Sequence, residues 1–486
     1  MRLCAETLGQ VPASVARPAY DRAAVSAGVV HLGIGAFHRA HQAAVFEAAL
    51  ASGDLRWGVI GVSLRSASVR EQMAPQDGLY TLLVREGEVQ TPQIMGAVQR
   101  VLVAPEDPEA VVAALASPDT HLVTLTVTEK GYCLNRKTGK LMAEDADVAA
   151  DLAGLERPRT AAGFLVAALA RRRAQGLAPL SILSCDNLPH NGALLQGAVL
   201  AMAEAHDPAL AAWISESCSF PATMVDRIVP ATTDEDIAGL AALIGVEDRA
   251  MVKAEPFLQW VIEDSFAGER PDFAALGVQL TDAVASWEEA KLRLLNGAHS
   301  AIAYLGGLAG DRFVHEFVGS AAGLLFVERL WDEVTPTLDP PAGLDVIAYR
   351  KELMARFANS ALQHRTRQIG MDGSQKLPQR LLAPLGAVGE RGGSFAAIAL
   401  AIAAWVRWQA GTTDAGESFA IDDPAAQALA DALRDAATPR ARAAAALAVL
   451  GPIPDEAALD AVAAHLGHLE TSGARAVLTA FLGENA

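Results

Sequence analysis

The spacing of apolar positions changes character once along this chain. Up to about Phe273, short β-branched runs alternate with helical patterns; beyond Trp287, helical spacing dominates almost to Ala486. In the first stretch the run leading to Leu32, then Trp57–Leu64, His121–Thr128 and Leu180–Cys185 read as strands. Leu79–Arg85 and Gln99–Val103 read as shorter, alternating ones. Helical patterns begin near Phe37 and at Pro108. This alternation predicts a doubly wound, Rossmann-like α/β domain, and the second stretch predicts a mostly α-helical one. The boundary falls between Phe273 and Trp287, giving domains of residues 1–285 and 286–486, with a site expected in the cleft between them. The longest unbroken apolar run, Phe395–Val406, is too short to span a bilayer and reads as a core helix.

Composition narrows the function more than the fold. A chain of 486 residues can bury two cores. Its formal charge of −18 excludes a nucleic-acid partner, and Arg171-Arg172-Arg173 is too short to contradict that. Met1–Val15 holds no apolar core of signal-peptide length. Cys4, Cys133, Cys185 and Cys218 are scattered, with neither disulfide nor metal-site spacing. The expectation is a cytoplasmic protein acting on small molecules, with no membrane partner.

The first chemical signal is Gly28–Gln42, where a β-branched run enters Gly33-Ile34-Gly35 and then helical sequence. Strand, glycine turn and helix form the dinucleotide-binding arrangement: bare glycines admit a pyrophosphate, and the helix start offers free N–H groups. His38 stands where the third glycine of that motif would be, and a tight turn of any α/β protein would read the same. An acid after the second strand would accept the ribose 2′-OH of NAD. Here Arg65-Ser66-Ala67-Ser68 follows, which leaves room for the 2′-phosphate of NADP; Arg65 and Arg70 read equally well as surface charges. The other strand ends carry Glu129-Lys130-Gly131-Tyr132 and Asp186-Asn187, where Asn187 is either an amide donor or a turn residue. Asp226 and Arg227 sit inside an apolar segment, as a structural ion pair or a substrate wall.

The second domain opens on Trp287–Ser300, helical in pattern. At roughly 100° per residue from Lys291, Glu288, His299 and Asn296 fall at about 60°, 80° and 140°. An acid, an amine, an amide and an imidazole thus share an arc with Leu292 and Leu295, either as satisfied polar groups of a buried helix or as catalytic groups. Farther on, His364–Arg380 surrounds an Asp-Gly-Ser turn with Arg365, Arg367 and Lys376. That patch suits an oxygen-rich or carboxylated substrate, or a turn salted to neighbouring acids.

Six segments, in order, resemble the long-chain mannitol dehydrogenase family, which includes mannitol 2-dehydrogenase, arabinitol dehydrogenase and fructuronate reductase (D-mannonate oxidoreductase). They are His31–Gln42, Thr128–Tyr132, Ser184–Asn187, Met224–Ile228, Lys291–His299 and Asp372–Arg380. The resemblance implies metal-independent, NAD(P)-dependent interconversion of a polyol and its ketose, with the aldonate–ketouronate reaction as the alternative. It implies Lys291 as general base, Asn187 and Asn296 holding the reacting oxygen, His299 binding substrate and Glu288 on the proton path. Gly33, Gly35, Phe37, His38, Arg65, Glu129 and Lys130 would face the cofactor, NAD by family habit with NADP possible. Asp226, Arg365, Arg367 and Lys376 would line the substrate.

The chemistry asks for the same residue types. Hydride transfer from a secondary alcohol needs a base for the hydroxyl proton and donors for the developing alkoxide. No Cys/His group has zinc spacing, His38 and His41 being only two possible ligands, so a lysine must serve. With a free pKa of about 10.4 it needs burial or nearby charge to act near neutral pH. The rivals are a zinc-dependent dehydrogenase and a nucleotide- or sugar-binding sensor without turnover.

Overall fold

The β-branched runs form strands in the computed structural model, which describes residues 1–135, 139–451 and 455–483. In chain order they are β1 (Val29–Leu32), β2 (Val59–Ser63), β3 (Tyr80–Glu86), β4 (Val89–Met95), β5 (Val98–Val103) and β6 (Leu122–Leu125). Then come β7 (Ser181–Ser184), β8 (Thr223–Asp226), β9 (Val252–Ala254), β10 (Gln259–Glu263) and β11 (Gln279–Thr281). The chain divides into two compact units, Met1–Ala285 and Ser286–Ala486.

In the first unit a parallel sheet runs β5-β2-β1-β6-β7, with Val29 opposite Val59 on one side and Leu122 on the other. Every residue of β1 is buried because helices cover both faces of the sheet, which is why the run is apolar without alternation. Val30, Leu32, Val62, Val123 and Leu125 pack with Phe164, Leu165 and Leu169 of helix Ala161–Ala174. Val29, Val59 and Leu122 point the other way, towards Phe46 and Leu50 of helix Gln42–Ala51. This is the expected doubly wound domain. The chain steps outward from β1 to β2 to β5, then returns to β6 on the opposite flank of β1. The carboxyl ends of β1 and β6 therefore flank the point where strand order reverses, the place where open α/β sheets hold ligands.

The short alternating strand read at Leu79–Arg85 is β3, which lies in a small sheet, β4-β3-β9, and pairs antiparallel with β4. One strand differs from the sequence reading. The strand expected over His121–Thr128 ends at Leu125, because the chain then bends into a turn bound by Asp186.

The second unit is built mainly of helices. Phe395–Val406 lies almost wholly in helix Ala396–Trp408, buried from Ala397 to Val406 and packed against helices Gly297–Ala309 and Glu456–Ser472. Among the described residues no helix is long and apolar enough to cross a membrane. The continuous helix expected over Trp287–Ser300 is instead wound in three parts. Val284–Ala290 is α-helical, Lys291–Asn296 is π-helical and Gly297–Ala309 is α-helical again. An angular reading at roughly 100° per residue therefore fails through the middle part.

Candidate active site

At the carboxyl end of β1, Gly33 adopts φ +97° and donates its N–H to Val62 O at 2.8 Å. A Cβ there would lie 2.1 Å from Thr126 O, so only glycine lets β1 and the segment after β6 approach this closely. Gly35 is exposed and precedes helix Ala36–Ala40. A Cβ on it would meet no atom nearer than Gly33 O, at 3.9 Å. Its bare face leaves room for a ligand, which fits a dinucleotide pyrophosphate.

His31 of β1 ties this corner together, its Nδ1 2.7 Å from Thr124 Oγ1 and its Nε2 2.8 Å from Thr126 Oγ1. The His38 ring stacks on it, centroids 3.4 Å apart. Burial pushes His31 down to about 3, and burial followed by coupling to the stacked His31 ring pushes His38 well below the usual imidazole range. Both rings are neutral at pH 7. His38 is fully buried, so any service to a cofactor is to hold up the loop. Phe37 stacks on His41 at 5.1 Å, and His41 Nε2 lies 2.9 Å from Gln259 O, a structural use of both side chains. Arg65 is exposed after β2, while Arg70 pairs with Glu106.

Beyond β6, Glu129 and Lys130 start the short helical turn Glu129–Tyr132. Beyond β7, Asn187 is exposed and follows Asp186, whose carboxylate is bonded back to that turn. Asp226 ends β8 and is buried. Arg227 commits its guanidinium to Glu255 O at 3.0 and 2.8 Å and to Ala40 O at 2.5 Å. Burial pushes it down to about 10.

In the second unit the π-helical segment begins at Lys291 and ends at Asn296; these two and His299 are 7, 8 and 7% exposed. Glu288 is half-buried in the preceding turn. The wider winding turns backbone carbonyls away from their usual partners, and side chains take them up. Trp331 Nε1 donates to Leu294 O at 2.9 Å, and Arg380 Nη1 to Asn296 O at 3.4 Å and Ser300 Oγ at 3.1 Å. Arg380 stands in a second π-helical segment, Pro378–Leu382, packed against the first.

His299 lies edge-to-face with His364, centroids 5.1 Å apart, and 4.7 Å from Phe357. Burial, then the neighbouring His364 ring and the positive charges of Arg356, Arg380 and Lys291, push it well below the usual range. Burial pushes His364 down to about 4. His299 Nε2 and His364 Nδ1 are buried without a hydrogen-bond partner. Two neutral rings thus stand among cations, with polar atoms to spare.

The basic patch is only partly assembled. Lys376 is half-buried, its Nζ donating to Met371 O at 2.5 Å and lying 3.9 Å from Asp372. Arg365 and Arg367 are exposed, and Arg367 sits over the Phe419 ring, 3.8 Å from Glu417. The sequence places Asp186, Tyr132, His364 and Arg380 inside its motifs but assigns them no role, because they show no periodic pattern and acquire meaning only through distant partners. Among the described residues no group of three or more His, Cys, Asp or Glu is placed to hold a metal ion.

Comparison with known proteins agrees across the chain. Residues 27–275 match the model of the mannitol dehydrogenase Rossmann domain, and 283–468 that of the mannitol dehydrogenase C-terminal domain. D-mannonate oxidoreductase of Escherichia coli (strain K12) is 43% identical over 415 residues, 84% of this chain and 85% of that protein. A mannitol 2-dehydrogenase of Phaeosphaeria nodorum is 40% identical over 436 residues, 88% of this chain and 77% of that protein. The Pseudomonas fluorescens mannitol 2-dehydrogenase, solved as a ternary complex with NAD and D-mannitol, superposes with a TM-score of 0.88. It is 37% identical and covers 99% of this chain and 100% of its own.

Proposed function

The chain belongs to the mannitol dehydrogenase family, and from that premise we propose that it is a metal-independent polyol 2-dehydrogenase, interconverting a sugar alcohol such as D-mannitol with its ketose. NAD is the proposed cofactor; when bound it accepts hydride from the carbinol carbon, or returns it in ketone reduction. Gly33, Gly35, Glu129 and Lys130 would hold it. The exposed Arg65-to-Ser68 loop has no ribose-reading acid, so NADP should be tolerated. A preference for NADP of about tenfold or more would overturn that assignment.

Lys291 takes the hydroxyl proton in this reading, the Asn187 and Asn296 amides donate to the reacting oxygen, and Glu288 passes the proton outward. His299 and Asp226 hold substrate hydroxyls, with Lys376 farther along the sugar. The observation that carries the assignment is the π-helical turn, which begins on a buried lysine and ends on a buried amide. π-Bulges inside helices collect at functional sites, where they re-aim side chains. The rival base is His299, and its surroundings count against it. A ring held far below the usual imidazole range is a poor proton acceptor but a good neutral hydrogen-bonding group.

Lys291→Ala should lower kcat for alcohol oxidation at least about a hundredfold, roughly 2.7 kcal/mol, with little change in NADH affinity. A mutant that keeps its rate while His299→Ala abolishes it would show that the base is misassigned. Activity surviving exhaustive chelation is expected; its loss would favour a metal enzyme. Absence of any change in nicotinamide absorbance with every polyol and sugar acid would favour the non-catalytic sensor.

A second reading, oxidation of an aldonate such as D-mannonate to its ketouronate, has one observation behind it. Lys291, Arg356 and Arg380 surround His299 with positive charge, which suits a carboxylated substrate. Comparing kcat/KM for mannitol and mannonate decides between them. All four cysteines are free thiols.

A further inference from the structure

We propose that Asp186 is a positioning residue, whose carboxylate binds the Thr128–Tyr132 turn to the strand end that carries Asn187. The inference rests on the reading of Lys130 and Asn187 given above and goes beyond it to what holds them.

Two donors from the turn and one from Val127, just before it, converge on this one carboxylate. Thr128 N–H donates to Oδ1 at 2.8 Å, Val127 N–H to Oδ2 at 3.1 Å, and Tyr132 O–H to Oδ2 at 2.9 Å. Asp186 is 8% exposed, so these bonds face little competition from water. Its own carbonyl accepts from Asn191 Nδ2 at 3.0 Å, and Asn191 is bonded on to Thr223, donating to its O at 2.8 Å and accepting from its N–H at 3.0 Å. The preceding residue, Cys185, extends the β6–β7 ladder by donating to Leu125 O at 2.7 Å. Both ends of Asp186 are thus pinned, and Asn187 follows it directly.

The turn needs such an anchor because Thr128 is strained. Its φ of +62° and ψ of 169° fall in a region that glycine adopts and a β-branched residue avoids. Without the two backbone bonds Thr128 would relax to negative φ, and Glu129 and Lys130 would swing with it. A carboxylate that merely filled a buried position would not be matched to a strained residue in the neighbouring strand end.

The test reads NADH affinity by fluorescence titration, together with kcat and thermal stability, in the full chain. Asp186→Asn should raise the Kd for NADH about tenfold and lower kcat for alcohol oxidation by a similar factor. Adding Thr128→Gly, which reaches the same backbone conformation without strain, should bring both back to within about threefold of wild type. Tyr132→Phe removes one donor at constant packing and should shift both in the same direction by less; it decides the matter if Asp186→Asn does not fold. Wild-type Kd and kcat in the variant that folds would overturn the proposal. So would a fall in stability alone, or a loss that Thr128→Gly leaves untouched. Asn187→Ala and Lys291→Ala, measured alongside, separate the two layers. If both keep full turnover the site assignment has failed, while the NADH titrations still report on the tie.

Discussion

Gly33 and Gly35 are two residues apart in one turn, yet alanine should harm them for different reasons. Gly33 has φ +97°, and an added Cβ would lie 2.1 Å from Thr126 O and 2.8 Å from Thr126 C. Both atoms are backbone, held by the pairing of β1 with β6, so neither can move aside cheaply. Forcing an L side chain into positive φ costs about 1–2 kcal/mol, and overpacking a close contact adds about 1–3 kcal/mol. Gly33→Ala should therefore destabilise the first unit by about 2–5 kcal/mol, lowering its Tm by roughly 4–10 °C. NADH affinity should fall with it, because the loop has moved. Gly35 has φ −88°, and its added Cβ would meet nothing nearer than 3.9 Å. Gly35→Ala should leave the Tm within about 1 °C of wild type. It should still weaken NADH binding about tenfold or more, since the new methyl group occupies the face that a pyrophosphate approaches. Differential scanning calorimetry and NADH fluorescence titration on the two variants suffice. Unchanged NADH affinity in Gly35→Ala would refute the placing of the cofactor against this turn. An unchanged Tm in Gly33→Ala would refute the strain argument.

Three further outcomes follow from individual contacts. His31 is held neutral at about 3 against an unfolded value of about 6.5, so between those values the unfolded chain binds the extra proton. Its contribution to stability is complete above pH 6.5 and shrinks as the pH falls, by about 2 kcal/mol at pH 5. Denaturant titrations of wild type and His31→Asn at pH 7 and pH 5 should differ by that amount in their pH response, and parallel responses would show the ring is not buried neutral. Glu333 accepts from Ala397 N–H at 2.9 Å and Ile398 N–H at 3.0 Å, capping the core helix Ala396–Trp408. Glu333→Ala should cost about 1–2 kcal/mol with kcat unchanged, and an unaltered melting curve would remove the cap from the account. Lys376→Met should raise KM more than it lowers kcat, and several-fold more for mannonate than for mannitol. Equal small effects on both would place Lys376 outside the substrate pocket.

What the sequence alone determined is whatever depends on near neighbours. The apolar runs at Val29–Leu32 and Trp57–Leu64 carry strands because a parallel sheet covered on both faces asks for unbroken β-branched sequence. Phe395–Val406 is a core helix because twelve or so apolar residues without a break find no other stable place. The Gly33-Ile34-Gly35 turn was legible for the same reason, since positive φ and an open face are written in the glycines themselves. The tertiary structure decided the rest. Nothing near Lys291 announces a π-helical turn, because its displaced carbonyls are taken up by Trp331 and Arg380, far along the chain. Arg367 read equally well as a substrate ligand or as a charge salted to an acid, and only the folded chain seats it over Phe419, 3.8 Å from Glu417. Asp186 looked like part of a strand-end turn, yet its carboxylate is used across the sheet by Val127, Thr128 and Tyr132. Periodicity records which face of an element is buried. A side chain's hydrogen-bond partners are chosen only when distant segments meet, and the strand pairing of β6 with β7 is what brings these together.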